Sequence, residues 1–292
     1  MKPPVFDYLS VASVEAATAA LAAAAGDGKL LAGGQSLMPM LNFRLLRPSV
    51  LIDINRIPDL AYVKEQSDRI RIGALTRHRT LEGSDLVAKH LPVLREAMGH
   101  VAHLAIRNRG TIGGSLSHAD PAAELPMMSI LLDADLELAS AQGSRTLSAA
   151  EFFLGALTTN LADDEMLVSV SIPKLPSGCG WAFEEVARRS GDFALACVAI
   201  TLNRDGDHVS NARIGMMGVG ETPMRATEAE ALLISGPLDD RLVLAAVSSI
   251  RAAVDPNTDL HASADYRRHL VGVLAERAIR KAWARATEAS RG

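Results

Sequence analysis

Two short segments constrain what this chain can build: Ala32-Gly33-Gly34-Gln35-Ser36-Leu37 and Thr111-Ile112-Gly113-Gly114-Ser115-Leu116. Each sets a glycine pair behind an apolar residue, with a serine one or two positions later. Glycine reaches positive φ and lets another group come close to the backbone where a Cβ would stand in the way. Successive N–H groups in such a turn can converge on an anion, and a hydroxyl adds a further donor. Two matching segments can therefore clamp a pyrophosphate from two sides. Neither contains a lysine, so a donor-rich, uncharged cradle suits a retained dinucleotide better than a transferable γ-phosphate. The residues alone leave a second reading open, in which each glycine pair is only a turn.

Other chemistry is poorly supported. Gly26-Asp27-Gly28-Lys29 lacks the spacing and the following hydroxyl of a P-loop, and no G-x-G-x-x-G is present. His100 and His103 stand three apart with no thiol or carboxylate pattern beside them, so no metal site is assigned. Ser117, His118 and Asp120 are too close in sequence for triad geometry, and no nucleophile elbow occurs. No catalytic acid, base or nucleophile is assigned. The segment Arg188-Arg189-Ser190-Gly191-Asp192-Phe193-Ala194 allows two readings. In one, the arginines are solvated and Phe193 is a core residue; in the other, Phe193 faces a flat cofactor ring.

Composition narrows the class. A chain of 292 residues suggests about two domains, and its two cysteines, Cys179 and Cys197, cannot supply the four thiolates of an iron–sulfur cluster. The net charge of −4 argues against electrostatic binding to nucleic acid or an anionic membrane. No apolar run approaches the ~20 residues of a membrane span, and the first residues show no apolar leader. The expectation is a soluble cytoplasmic protein.

Periodicity and turn chemistry place the elements. Ser13 caps a helix that stops at Gly26, and strands are expected at 29–32, 50–54 and 69–74. Helices are expected at 37–47, at 81–103 with Pro92 interrupting, and at 121–132, followed by strands at 135–140 and 166–172. Beyond Pro173-Lys174-Leu175-Pro176-Ser177-Gly178 come three longer strands, 180–187, 193–203 and 209–218, with an Asp205-Gly206 hairpin signal. Helices at 225–234, 239–254 and 265–286 end the pattern. This is an α+β chain, with domains expected at 1–177 and 178–292.

At these residues the chain resembles the FAD-binding medium subunit of molybdenum hydroxylases, the family of xanthine dehydrogenase and carbon monoxide dehydrogenase. The matching words are Ala32 through Pro39, Ile52-Asp53-Ile54-Asn55-Arg56, Arg107 through Leu116, Asp120-Pro121-Ala122-Ala123-Glu124, Arg188 through Ala194, and Asp265-Tyr266-Arg267-Arg268. The resemblance implies an FAD-binding domain of the vanillyl-alcohol oxidase type, with two subdomains, then a smaller domain holding a three-stranded antiparallel sheet and helices. It implies that residues 32–36 and 111–115, with Leu37, bind the FAD pyrophosphate. Asp120 or Glu124 and Leu167 would lie near the ribityl or ring, and Phe193 over the isoalloxazine. The family often has histidine at Gln35 and tyrosine at Phe193; neither change threatens FAD binding.

The implied role is electron transfer. A large molybdenum subunit would oxidise the substrate, and a small subunit with two [2Fe–2S] clusters would pass electrons to FAD in this chain, in a heterotrimer that can dimerise. The acceptor would be NAD+, a quinone, a cytochrome or oxygen. The two cysteines place the clusters in a partner and argue against the hydroxybenzoyl-CoA reductase branch, whose flavin subunit carries an extra cluster. Two other readings are a self-contained flavin oxidoreductase and a non-catalytic assembly subunit of the same fold.

Overall fold

The computed structural model describes residues 2–289. The chain starts with β1 (Asp7–Ser10), α1 (Val14–Ala24), β2 (Gly28–Leu31), α2 (Leu37–Asn42) and β3 (Val50–Asp53). Ser13 caps α1 by accepting from the Ala16 N–H, as its position before the alanine run predicts. The left-handed stop falls on Ala25, with Gly26 next at φ 90°. The three strands form a parallel sheet in the order β1-β3-β2. In parallel sheets the loops leaving the carboxyl ends of the strands form the ligand crevice. Here those loops begin at Ala32, after β2, and at Ile54, after β3.

A 3-10 turn, Pro58–Leu60, leads to β4 (Val63–Glu65) and β5 (Arg69–Gly73). Three short helices follow: α3 (His78–Glu82), α4 (Asp85–His90) and α5 (Pro92–Met98). The long helix expected at 81–103 is thus divided. Ser84 caps α4, and Pro92 begins α5 at its first turn instead of interrupting a helix. Then come α6 (Leu104–Arg107), α7 (Ile112–His118) and α8 (Glu124–Leu131). The helix expected at 37–47 is also shorter, because α2 ends at Asn42 and Arg44 turns to φ 58°.

β6 (Asp135–Ser140), β7 (Gly143–Ser148), α9 (Ala149–Phe152), β8 (Phe153–Gly155), β9 (Thr158–Thr159) and β10 (Met166–Pro173) complete this part. The second sheet runs β4-β5-β10-β6-β7, with every pairing antiparallel. Its inward residues, including Ile70, Ile72, Leu136, Leu138 and Val170, are buried and pack with α5 and α8 side chains such as Leu94, Met98, Met127 and Leu131.

The remaining elements are β11 (Gly180–Ala187), β12 (Ala194–Asp205), β13 (His208–Met217), β14 (Met224–Arg225), α10 (Thr227–Leu233), α11 (Asp240–Ala253) and α12 (Ala264–Ala289). The three long antiparallel strands gain a two-residue fourth, β14, beside β13. The hairpin turn falls at Gly206-Asp207, one residue later than the Asp-Gly signal, with Gly206 at φ 62°. α12 packs on β11 at Gly180, where a Cβ would stand 2.0 Å from the Ala282 carbonyl oxygen. Arg267, 7% exposed, ties α12 to the sheet by donating to the Leu195 carbonyl at 2.6 Å and the Gly218 carbonyl at 3.2 Å.

Candidate functional site

The two glycine segments meet. A Cβ on Gly33 would lie 2.4 Å from the Arg109 carbonyl oxygen and 2.9 Å from the Gly110 Cα. The turn that follows β2 is thus seated against the backbone that enters the second segment, and only glycine fits there. Gly34, at φ 71°, supplies the left-handed residue of the turn. A cavity of about 350 Å³ opens at this meeting point, lined by residues 31–35, Met38, Pro39, Asp53, Asn55 and Arg109.

The two segments are not equivalent. Among the described residues, no backbone N–H from Gly33 to Ser36 donates a hydrogen bond, so four successive donors remain free beside the cavity. The second segment is the first turn of α7, with Gly113 and Gly114 in helical conformation and outside the positive-φ set. Its donors are already used. Ile112 N–H donates to the Thr76 carbonyl at 3.1 Å, Gly113 N–H to the Ala74 carbonyl at 2.9 Å, and Ser115 N–H to the Thr111 carbonyl at 3.0 Å. The Thr111 hydroxyl accepts from Gly114 N–H at 3.1 Å as the helix cap. Gly113 is needed for packing, since its Cβ would stand 2.7 Å from the Ala74 Cβ. The first segment therefore has free donors, whereas those of the second are spent within the fold. Residues 111–115 do not line the cavity; Arg109 does, from the same stretch.

Gln35 folds back, its amide donating to the Gly33 carbonyl at 2.9 Å. The Ser36 and Ser115 hydroxyls are half-buried and make no hydrogen bond among the described residues. Leu37 opens α2, and Ala32 joins β2 to the glycines. Behind the turn at Gly110 lies His78, buried, with neither ring nitrogen hydrogen-bonded. Burial lowers its pKa to about 4, so this imidazole is neutral at physiological pH. A Cβ on Gly110 would come within 2.9 Å of that ring.

None of the other sequence-derived candidates lines the cavity. Asp120 makes a local turn, its carboxylate accepting from Ala122 N–H at 2.9 Å. Leu167, on β10, is buried in the core. Glu124, first residue of α8, is 9% exposed and faces a seam between α8 and the third sheet. Burial, with the Glu185 charge adding to it, pushes its pKa up to about 8. Glu185 also stands 3.8 Å from His100, whose ring packs on Phe183 with centroids 4.8 Å apart. The facing Glu185 carboxylate raises the His100 pKa. Phe193 is 65% exposed, which removes the core reading. Its turn is anchored where Gly191 meets the His103 ring, at 2.4 Å from a would-be Cβ, and α6 joins that histidine to the Arg109 region.

The residues fit a dinucleotide pyrophosphate: a steric slot only glycine fills, four free N–H donors and the cationic residue Arg109 in the lining. Asp53, Asn55 and Arg109 were not singled out as cavity residues from the sequence. The available signal was the polar alternation ending a buried strand, Ile52-Asp53-Ile54-Asn55.

Comparisons with known proteins agree. Residues 4–175 match the FAD binding domain in molybdopterin dehydrogenase, and residues 181–282 the CO dehydrogenase flavoprotein C-terminal domain. The chain is 45% identical to the 6-hydroxypseudooxynicotine dehydrogenase complex subunit alpha of Paenarthrobacter nicotinovorans, across 98% of this chain and 97% of that one. It superposes on carbon monoxide dehydrogenase from Hydrogenophaga pseudoflava with a TM-score of 0.96 at 41% identity, covering 98% of this chain and 99% of the other. Quinoline 2-oxidoreductase from Pseudomonas putida 86 gives a TM-score of 0.93 at 38% identity, with 99% of each chain covered. Among the described residues no helix is long and apolar enough to cross a membrane. The chain belongs to the family of FAD-binding medium subunits of molybdenum hydroxylases, oxidoreductases that include carbon monoxide dehydrogenase and xanthine dehydrogenase.

Proposed function

We propose that this chain is the electron-transfer subunit of a cytoplasmic molybdenum hydroxylase, with domains dividing at residue 177. It would take electrons from the two [2Fe–2S] clusters of a small partner subunit and deliver them to an external acceptor. A large partner subunit would carry the molybdenum cofactor and oxidise the substrate. The observation that carries this reading is the row of free N–H groups from Gly33 to Ser36, at the carboxyl edge of a parallel sheet and closed by the Arg109–Gly110 backbone.

In this reading Ala32 to Leu37 bind the FAD pyrophosphate through backbone donors, and Thr111 to Ser115 support it by holding the Arg109–Gly110 backbone that leads into them. Asp120, Glu124, Leu167 and Phe193 serve the ribityl and ring end. FAD, when bound, supplies acceptance of electrons one at a time and their release singly or in pairs; the protein supplies binding, orientation and electrostatics. Glu124 acts as a buried group that keeps its proton at neutral pH, so its carboxyl can donate a hydrogen bond.

The test is purification of the chain from its native host. The expected product is yellow, with one FAD per chain and two co-purifying chains, one holding molybdenum and the other iron and sulfide. A colourless chain refutes cofactor binding. A flavin-bearing chain that oxidises an organic substrate alone refutes the electron-transfer role.

A further inference from the structure

Asn55 and Arg77 lie in neither glycine segment, yet they join the two. Asn55 follows β3, and its side-chain amide donates to the Ala32 carbonyl at 2.8 Å, the Leu31 carbonyl at 3.2 Å and the Asp53 carboxylate at 2.7 Å. Asp53 is itself held by the Tyr8 hydroxyl at 2.5 Å. On its other side, the Asn55 side-chain oxygen accepts from Arg77 at 2.7 Å. The second arm of the Arg77 guanidinium donates to the Arg109 carbonyl. That carbonyl is the atom against which Gly33 is seated. A relay therefore runs from Ala32 through Asn55 and Arg77 to Arg109, bridging residues that face each other across the slot.

The relay does two things for an anion. It fixes the distance between the donor row and the Arg109–Gly110 backbone, which the Gly33–Arg109 contact alone sets only as a minimum. It also engages one lone pair of the Arg109 carbonyl oxygen, reducing the negative potential that atom would present to a phosphate in the slot. Charge supports the same placement. Burial, then the neighbouring Arg109 charge, lowers the Arg77 pKa against the opposing pull of Asp53. Two guanidinium groups held near one another are relieved by an anion bound beside them. Asn55 lines both the 350 Å³ cavity and a second one of about 210 Å³, and Arg77 lines only the second. Arg77 thus acts from behind the slot.

We propose that Asn55 and Arg77 are positioning residues for the dinucleotide, a brace that holds the two glycine segments at the spacing the pyrophosphate requires. The inference rests on the FAD-binding reading above. Its test is FAD titration of the full-length apoprotein, followed by flavin fluorescence, for wild type, N55A, R77M, the N55A/R77M double variant, R77K and N55S. Each alanine or methionine variant is expected to bind FAD about tenfold to a hundredfold more weakly. The double variant should be no more than about twofold worse than the weaker single, because a relay broken once is already broken. R77K keeps the charge but cannot span both acceptors, so it should not restore binding. N55S guards against misfolding: it should unfold at the wild-type temperature and still bind weakly.

Wild-type affinity in R77K, multiplying losses in the double variant, or unchanged binding in both singles would each overturn the brace. Failure of the wild-type chain itself to bind FAD would overturn the functional reading, and the brace with it.

Discussion

The sharpest perturbation is the smallest one, Gly33→Ala. The added methyl carbon would lie 2.4 Å from the Arg109 carbonyl oxygen and 3.0 Å from its carbonyl carbon. An ordinary carbon–oxygen contact is about 3.3 Å, and the atoms met are backbone, so no side chain can swing aside. The segments must part by about 1 Å. Overpacking of this kind typically costs about 1–3 kcal/mol. If that strain falls on the closed, ligand-holding arrangement, FAD affinity drops by about 5- to 150-fold. The assay is FAD titration of the apoprotein beside Gly236→Ala, where an added Cβ meets nothing within 4 Å. Circular dichroism and thermal unfolding report whether the fold survives. Affinity within twofold of wild type, in a variant that folds normally, would refute the argument that this contact shapes the site.

Phe193→Ala should leave the unfolding temperature nearly unchanged, because the ring is 65% exposed, while shifting the visible absorbance of bound flavin; an unshifted spectrum would remove Phe193 from the ring site. Glu124 has its folded-state pKa raised to about 8, so the stability it contributes is present below the ordinary carboxylate range and is lost as pH rises through that value. Denaturant unfolding should show wild type losing about 1 kcal/mol more than Glu124→Gln between pH 7 and pH 9, and parallel pH profiles would count against this. Arg267→Met removes the donor to the Leu195 and Gly218 carbonyls and takes from Asp259 its ion-pair partner, leaving it only the His261 and Ala262 N–H groups. A loss of about 2–4 kcal/mol is expected in calorimetry, and a loss under 1 kcal/mol would contradict the tie between α12 and the sheet.

What the sequence conveyed depended on whether a signal was local. Ser13 before an alanine run states a helix start, and the alternation of Arg69 to Gly73 states a strand; both stand in the structure. The segment Ile112 to His118 did not read as a helix because two glycines in seven residues oppose one. It forms because Thr111 caps it and its first N–H groups reach the Ala74 and Thr76 carbonyls, partners nearly forty positions away. Arg77 carries no motif of its own, and Asn55 stands in a matching word that says nothing of its bonds; their roles arise only when β3 and the Ala74–Arg77 turn come to the same edge. Glu124 was named through resemblance, whereas its neighbours Glu185 and His100 come from other elements and left no pattern beside it. The exposed strand β7 was missed because most of its residues face solvent and supply no apolar alternation.

The charge arrangement gives the site a direction that neither glycine segment states alone. At the amino end of α7 stand the Arg77 and Arg109 guanidinium groups and the free donors of Gly33 to Ser36. Beyond its carboxyl end stand Asp120, Glu124 and Glu185, with the imidazole of His100. A seven-residue helix is about 10 Å long, so the two environments are separated by roughly the length of a ribityl chain. An anionic pyrophosphate is favoured only at the first end. At the second, a carboxyl that holds its proton near neutral pH can sit against an uncharged ring without repelling it, and it ceases to do so once raised pH removes that proton. Under the proposed function, alkaline pH therefore acts on the ring end and leaves the pyrophosphate end unchanged. Bound flavin should shift its absorbance and bind more weakly as pH rises from 7 to 9, and both changes should vanish in Glu124→Gln.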